Sequence, residues 1–320
     1  MNKKLKVFIA GHNGMVGRSL TNYLKKKEFG KIITASRKRL NLENYDKVNR
    51  FIKQKRPDII INCAGRVGGI LANSTFPTEF LNENIDIQSN LIKSSFKNKI
   101  DHFINLGSSC IYPKNSKQPI KEKYLLSSSL EKTNEAYALA KIVGLKMCEY
   151  YNQQYKKSYF TLMPCNLYGP NDNFDLKNSH FIPALIKKII HSKIKNKRSI
   201  EIWGTGKPKR EVMHVDDLSS AIYFIIKKKL NNNKLLLNYL KKSSLINVGS
   251  QNEYTIKQYA ILIKKLVENK YKLVFNKSYP DGTKRKILDN SFMKKLGWKP
   301  KISLYKGLFD TIKWYKNNYL

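Results

Sequence analysis

Lys4–Ala10 (KLKVFIA), followed by Gly11-His-Asn-Gly14-Met-Val-Gly17, is the stretch on which the fold turns. A short apolar run that ends on a glycine reads as a buried strand, and helical periodicity then continues to about Glu28. Strand, glycine loop and helix in that order make a phosphate cradle. The first glycine allows the tight turn, the second lets backbone N–H groups approach a pyrophosphate, and the third lets the helix close on the sheet. Glycines also mark ordinary turns, so the reading rests on the position between strand and helix. Gly11, Gly14 and Gly17 are therefore expected to hold a dinucleotide. Their Gly-x-x-Gly-x-x-Gly spacing departs from the GxGxxG of many dehydrogenases.

Working outward, further strands are expected at Lys31–Ala35, Pro57–Ala64, Asp101–Leu106 and Ser158–Cys165. Helices are expected near Leu42–Lys55, Pro77–Lys97 and Asn134–Gln153. Such alternation implies βαβ units: an α/β protein with a Rossmann-type, doubly wound parallel sheet. After about Gly169 the alternation breaks, and a smaller α/β substrate lobe is expected. The nucleotide domain is assigned to 1–170 with a return near 211–250, and 171–320 mainly to the substrate lobe. Ile182–Ile194 and Ser219–Lys229 read as helices and Ser199–Trp203 as a strand. Lys228–Ser244, rich in Lys, Leu and Asn, reads as a variable surface insertion.

The chain of 320 residues carries 61 Lys plus Arg against 23 Asp plus Glu, a net charge of +38 that raises the question of a polyanionic partner. Only nine of the cations are arginines, the side chain that reads phosphate and guanine bidentately. The lysines lie in scattered short runs, and none falls between Val67 and Ile92. Solvated lysines are the preferred reading, and no nucleic-acid partner is expected. A hydrophobic content of 41% excludes a disordered basic tail. Four cysteines do not make a disulfide framework, and no metal site is expected. Val7–Ala10 is too short for a signal-peptide core or a membrane span, so a cytoplasmic protein is expected.

The end of the second strand selects the cofactor. An NAD site usually offers a carboxylate there, whereas this chain has Ser36-Arg37-Lys38-Arg39 and no acid before Glu43. Cations suit a 2′-phosphate, so NADP is expected on Arg37; the alternative is one more solvated basic run. Tyr137-Ala-Leu-Ala-Lys141 sets a phenol and an ammonium on one helix face. A nearby ammonium stabilises a phenolate and readies it for proton exchange. That pair alone is common by chance. Gly107-Ser108-Ser109-Cys110 gives it weight, because a serine after the fourth strand points into the same cleft.

Together these residues resemble the extended short-chain dehydrogenase/reductases. Within them, several strings resemble the GDP-L-fucose synthase family: Val7–His12, Arg66–Ile70, Gly107–Pro113, Asn166–Asn171, Asn178–His180, Trp203–Glu211, His214–Asp217 and Pro280–Thr283. The likeness covers nearly the whole chain except Lys228–Ser244. It implies epimerisation of a GDP-4-keto-6-deoxy sugar at C3 and C5, then NADPH-dependent reduction at C4. It implies Cys110 as base and His180 as acid, with Ser108, Tyr137 and Lys141 acting on the C4 oxygen. Lys141 and Asn166 would lie near the nicotinamide, and Lys188, Trp203, Arg210 and Asp281 would hold the GDP. It also implies a homodimer built through Pro77–Lys97 and Asn134–Gln153. Inert alternatives stand beside these roles: a buried thiol for Cys110, a surface or capping histidine for His180, a core Trp203. Some relatives carry an arginine in the glycine loop where this chain has Asn13, leaving Arg37, with Lys38 or Arg39, to meet a 2′-phosphate. A relative acting on another GDP-4-keto-deoxy sugar, such as the one leading to GDP-colitose, is the nearest alternative. A non-catalytic NAD(P)- or nucleic-acid-binding protein is the more distant one.

Overall fold

The computed structural model describes residues 5–176, 178–279 and 281–320, so Lys4 and Pro280 of the motifs above lie outside the described residues. The chain runs β1 (Lys6–Ala10), α1 (Met15–Lys26), β2 (Lys31–Ile33), α2 (Tyr45–Lys55), β3 (Ile59–Asn62), α3 (Ile70–Thr75), α4 (Pro77–Lys97), β4 (His102–Leu106), α5 (Glu135–Tyr155), β5 (Ser158–Pro164) and β6 (Asn166–Tyr168). It continues through α6 (Phe181–Ile194), β7 (Ser199–Trp203), β8 (Lys209–His214), α7 (Val215–Leu230), α8 (Lys234–Leu240), β9 (Leu245–Val248) and β10 (Glu253–Thr255). Last come α9 (Ile256–Val267), β11 (Lys272–Asn276), β12 (Arg285–Lys286), α10 (Ser291–Leu296) and α11 (Leu304–Tyr319).

Six strands form one parallel sheet in the order β2-β1-β3-β4-β5-β9. Side chains alternate across a strand, and β1 uses both faces. Val7 and Ile9 join Leu20 and Leu24 of α1 and Leu218 and Ile222 of α7. Phe8 and Ala10 meet Val48 and Ile52 of α2 and Leu91 of α4 on the other side. Each fully buried Val, Leu, Ile or Phe among these contributes about 1.5–3 kcal/mol relative to exposure. The connections diverge between β1 and β3, which opens a crevice beyond the carboxyl ends of the strands.

A second core gathers Ile182, Ile186 and Ile189 of α6 with Ile200, Tyr259, Ile263, Leu308 and Tyr315. Here β7 pairs with β11, while β8 is flanked by β10 and β12 and also pairs with β6.

Helix α4 has the bounds expected from sequence. Helix α2 begins at Tyr45 rather than near Leu42, because the Asn44 side chain accepts from Lys47 N at 2.9 Å and caps it. Lys228–Ser244 is not a mere surface insertion. Its α8 buries Leu236 completely, stacks Tyr239 on Phe292 with ring centroids 3.7 Å apart, and leads into β9.

A buried amide ladder sets the position of α5. Asn62 Nδ2 donates to Asn105 Oδ1 at 3.0 Å, and Asn105 Nδ2 donates to Gln88 Oε1 at 3.0 Å. Gln88 Nε2 then donates to the Ala140 carbonyl at 3.1 Å. Gly144 is required beside it, since a Cβ there would lie 2.2 Å from Gln88 Oε1. The ladder ties β3, β4, α4 and α5 together, and α5 carries Tyr137 and Lys141.

Candidate active site

The glycine loop has the geometry of a cradle. Gly11 adopts φ +78°, and a Cβ on it would lie 2.6 Å from the Ala64 backbone. A Cβ on Gly17 would lie 2.2 Å from the Gly11 carbonyl oxygen. At Gly14 the nearest atom would be 3.6 Å away, so that glycine leaves an open approach. Helix α1 starts there with no side-chain cap, and its first N–H groups have no side-chain partner. The buried Nδ1 of His12 in the loop also lacks a partner. These features fit the diphosphate of a dinucleotide. Arg37 stands at the end of β2 with its side chain 74% exposed, in an ion pair of 2.7 Å with Glu43. The first carboxylate after the basic run thus folds back onto it.

Beyond β4 the chain makes a short helical turn, Ser109–Ile111, capped by Ser108, whose Oγ accepts from Cys110 N at 3.5 Å. Burial pushes the Cys110 thiol up; Lys286, the Ser108 hydroxyl and Lys141 oppose it, in that order. Tyr137 is likewise pushed up, by burial and then by Cys110, with the Ser108 hydroxyl pulling the other way. The Lys141 ammonium donates to the Leu106 carbonyl at 3.1 Å and sits 5.7 Å from the Tyr137 ring centroid. Burial brings it down to about 8, against the opposing pull of Cys110 and Cys63. Cys63 itself is pushed up to about 12 by burial, which Lys141 opposes. The ammonium therefore faces a carbonyl and two thiols, and the expected acidification of the phenol does not appear.

His180 is exposed just before α6, and desolvation by the surrounding protein and then Lys286 push it toward the neutral form. Lys286 escaped the sequence reading. It sits in a run, Lys284-Arg285-Lys286, in a chain full of such runs, and only its place before the apolar pair Ile287-Leu288 hinted at a strand.

The proposed nucleotide residues form a second group. Lys188 Nζ lies 4.3 Å from the Trp203 ring centroid, and Tyr279 stacks on Trp203 at 4.4 Å and 13°. The indole is thus already engaged by a cation and by another ring. Arg210 Nη1 donates to the Thr283 carbonyl at 2.5 Å. Both carboxylate oxygens of Asp281 accept from Thr205, from its N at 2.9 Å and its Oγ1 at 2.5 Å. Lys286 joins the groups, because it pairs in register with Arg210 while acting on Cys110 and His180. Asn166 is half-buried opposite Val212 at the start of β6, and Arg37 lies apart, beyond β2. Gly69 N donates to the Asn178 carbonyl at 2.9 Å, tying the loop after β3 to the segment that carries His180.

Comparison with known proteins follows the same outline. A GDP-L-fucose synthase of Escherichia coli (strain K12) is 43% identical over 315 residues, covering 98% of this chain and 98% of that protein. A GDP-L-colitose synthase of Yersinia pseudotuberculosis is 40% identical over 314 residues, again 98% of both chains. The solved structure of a GDP-mannoheptose C4 reductase from Campylobacter jejuni with NADP bound superposes with a TM-score of 0.89 and 35% identity, covering 99% of each chain. The model of the NAD dependent epimerase/dehydratase family matches residues 7–238. With a phosphate cradle at the switch point of a parallel sheet and relatives matched along nearly their whole length, the chain belongs to the NAD dependent epimerase/dehydratase family.

Proposed function

We propose that the protein is a two-step epimerase and reductase that converts GDP-4-keto-6-deoxy-D-mannose to GDP-L-fucose with NADPH. The observation that carries this reading is that the Cys110 thiol has the Ser108 hydroxyl, the Tyr137 phenol and Lys286 as neighbours, while Lys286 also neighbours His180 and Arg210. The full-length likeness to a GDP-L-fucose synthase supports it.

A 4-keto group acidifies the hydrogens on C3 and C5. Cys110, as thiolate, takes such a proton; the C–H electron pair moves into an enolate, and His180 returns a proton to the opposite face. That role needs the imidazolium, which desolvation and then Lys286 disfavour. An anionic diphosphate entering beside Arg210 and Lys286 opposes that bias. Ser108 donates a hydrogen bond to the C4 oxygen, and Tyr137 gives that oxygen its proton. NADPH, when bound, supplies the hydride. Gly11, Gly14 and Gly17 hold its diphosphate, Arg37 its 2′-phosphate, and Lys141 and Asn166 the nicotinamide end. Lys188 and Arg210 neutralise the GDP diphosphate, and the Trp203–Tyr279 pair offers an aromatic edge or outer face. Asp281 fixes the Thr205 turn and shares its remaining acceptor capacity with the nucleotide.

The likeness to a GDP-L-colitose synthase favours a second reading, in which the keto sugar lacks one hydroxyl. Supplying each keto sugar with NADPH or NADH, and identifying products by NMR, decides between them. Absence of NADPH oxidation with every GDP-4-keto sugar would sink both. In the same assay Cys110→Ser should stop deuterium wash-in at C3 and C5, whereas Tyr137→Phe should spare wash-in and stop reduction.

A homodimer is part of the proposal. Leu139, Val143 and Tyr150 form an exposed apolar stripe along α5, at 43%, 37% and 56% exposure. Sedimentation as a monomer at assay concentration would remove it. No described helix is long and apolar enough to cross a membrane. All four cysteines are free, which suits a reducing cytoplasm.

A further inference from the structure

The register of a two-residue strand decides where one lysine points. β12 lies parallel to β8, with Arg285 opposite Lys209 and Lys286 opposite Arg210. Successive side chains leave opposite faces of a strand. Arg285 is held on one face by its Nε, 2.9 Å from each carboxylate oxygen of Glu253, so Lys286 leaves from the other face alongside Arg210. The segment cannot slip. Ile120 N donates to the Ile287 carbonyl at 2.8 Å, Ile287 N donates to Gln118 Oε1 at 2.9 Å, and Leu288 N donates to Glu211 Oε2 at 2.9 Å.

The Lys286 ammonium makes no hydrogen bond or ion pair among the described residues. The acid in its neighbourhood, Glu131, is already paired with Lys114 at 3.1 Å. Cys110 is faced by Ser108 from its own turn, by Tyr137 and Lys141 from α5, and by Lys286 from β12. Lys286 is faced in turn by His180 and Arg210. Of the two ammonium groups at the thiol, Lys141 already has the Leu106 carbonyl on its nitrogen, and Lys286 has nothing. A crowded, unpaired ammonium is costly unless an anion forms beside it.

We propose that Lys286 is the positioning residue for the base: its ammonium holds the negative charge of the Cys110 thiolate until that thiolate takes the substrate proton. The proposal rests on the reading of Cys110 as base. In the step, the C–H bond beside the ketone breaks, the S–H bond forms, and the electron pair passes to the enolate. Lys286 keeps its proton throughout, and only the anion facing it changes. Among the influences on the buried thiol, it is the strongest that opposes burial.

The test reads the thiol without any substrate. Alkylation of Cys110 by iodoacetamide in the full-length protein is followed by peptide mass spectrometry from about pH 6 to 10. Lys286→Met and Lys286→Gln should each slow alkylation near pH 8 by about tenfold, and Lys286→Arg should restore most of the rate. A merely structural role would not move that profile in one direction and recover it with Arg. Deuterium wash-in from solvent into GDP-4-keto-6-deoxy-D-mannose should fall by a similar factor, with NADPH affinity unchanged. An unchanged alkylation profile in whichever of the Met and Gln variants still binds NADPH overturns the proposal. A shifted profile in a protein that turns over no GDP-4-keto sugar leaves the charge pairing standing and removes the substrate reading instead.

Discussion

Two lysines are buried at opposite ends of the same sheet, and their surroundings give them different fates. Lys141, 4% exposed, donates to the Leu106 carbonyl at the carboxyl end of β4, beside two thiols and a phenol. Lys229, 8% exposed, donates at 2.6 Å to the Ser158 carbonyl at the amino end of β5, with the Phe160 ring centroid 5.0 Å away. Burial lowers the first to about 8 and the second to about 7. By protonation alone Lys229 looks the more unusual. A perturbed lysine marks a reactive site only where other chemical groups and a crevice share its neighbourhood, and the carboxyl end of the sheet supplies both.

Substitutions at the two ends should separate them. Lys141→Met should lower turnover by about 10²–10⁴-fold without loss of thermal stability, as measured by NADPH oxidation and calorimetry. An active Lys141→Met protein would break the comparison. Leu236→Ala, in α8 next to the Lys229 end, should cost about 2–5 kcal/mol in chemical denaturation and leave kcat within about twofold. Lys229→Met should leave activity intact and raise unfolding free energy at pH 7 by roughly 1–3 kcal/mol, the net of a removed charge and an orphaned carbonyl. The sign in pH follows from linkage. The unfolded lysine titrates near 10.5 and the folded one near 7, so between these values the unfolded chain binds more protons and stability rises with pH. That contribution is lost as pH falls toward about 7, and the Lys229→Met protein should show a flatter slope over the same range. An identical slope would mean that Lys229 is not the buried base. The smallest effect belongs to an exposed cation: Arg37→Ser should cut the preference for NADPH over NADH by about tenfold in kcat/KM. An unchanged ratio would return Arg37 to the solvated majority.

Much of this was legible in residue order. The first strand, the three glycines, α4 and the Ser108–Cys110 turn after β4 follow from apolar runs, breakers and helical spacing, which are local properties. What escaped is non-local. Lys229 sits in the run Lys227-Lys228-Lys229, whose members differ only in which face of α7 they occupy. Leu236 was hidden by a composition that looked like filler. Lys286 depends on a strand of two residues, too short for any periodicity, whose direction is set by a partner 76 positions earlier in the chain. Trp203 lies beside Lys188 and Asp281 beside Arg210, and their engagement with Tyr279 and Thr205 is a matter of packing that spacing cannot convey.

The stitching between 118–120 and 287–289 bears on motion. Ile120 donates to Ile287 and accepts from Asp289 N, each at 2.8 Å, while Glu211 takes Gln251 N at 2.6 Å and Leu288 N at 2.9 Å. Swinging the second lobe away as a rigid body would strand the buried Ile120 N–H and carbonyl and their partners at about 1–3 kcal/mol apiece. Opening at this end is therefore expected to involve short local displacements of Tyr279 and of the Asp281–Thr205 contact, while the backbone around Lys286 stays still. Amide exchange should find Ile120 and Leu288 among the slow protons and Thr205 among the fast, a protection map in which the exposed turn and the stitched segment keep different clocks.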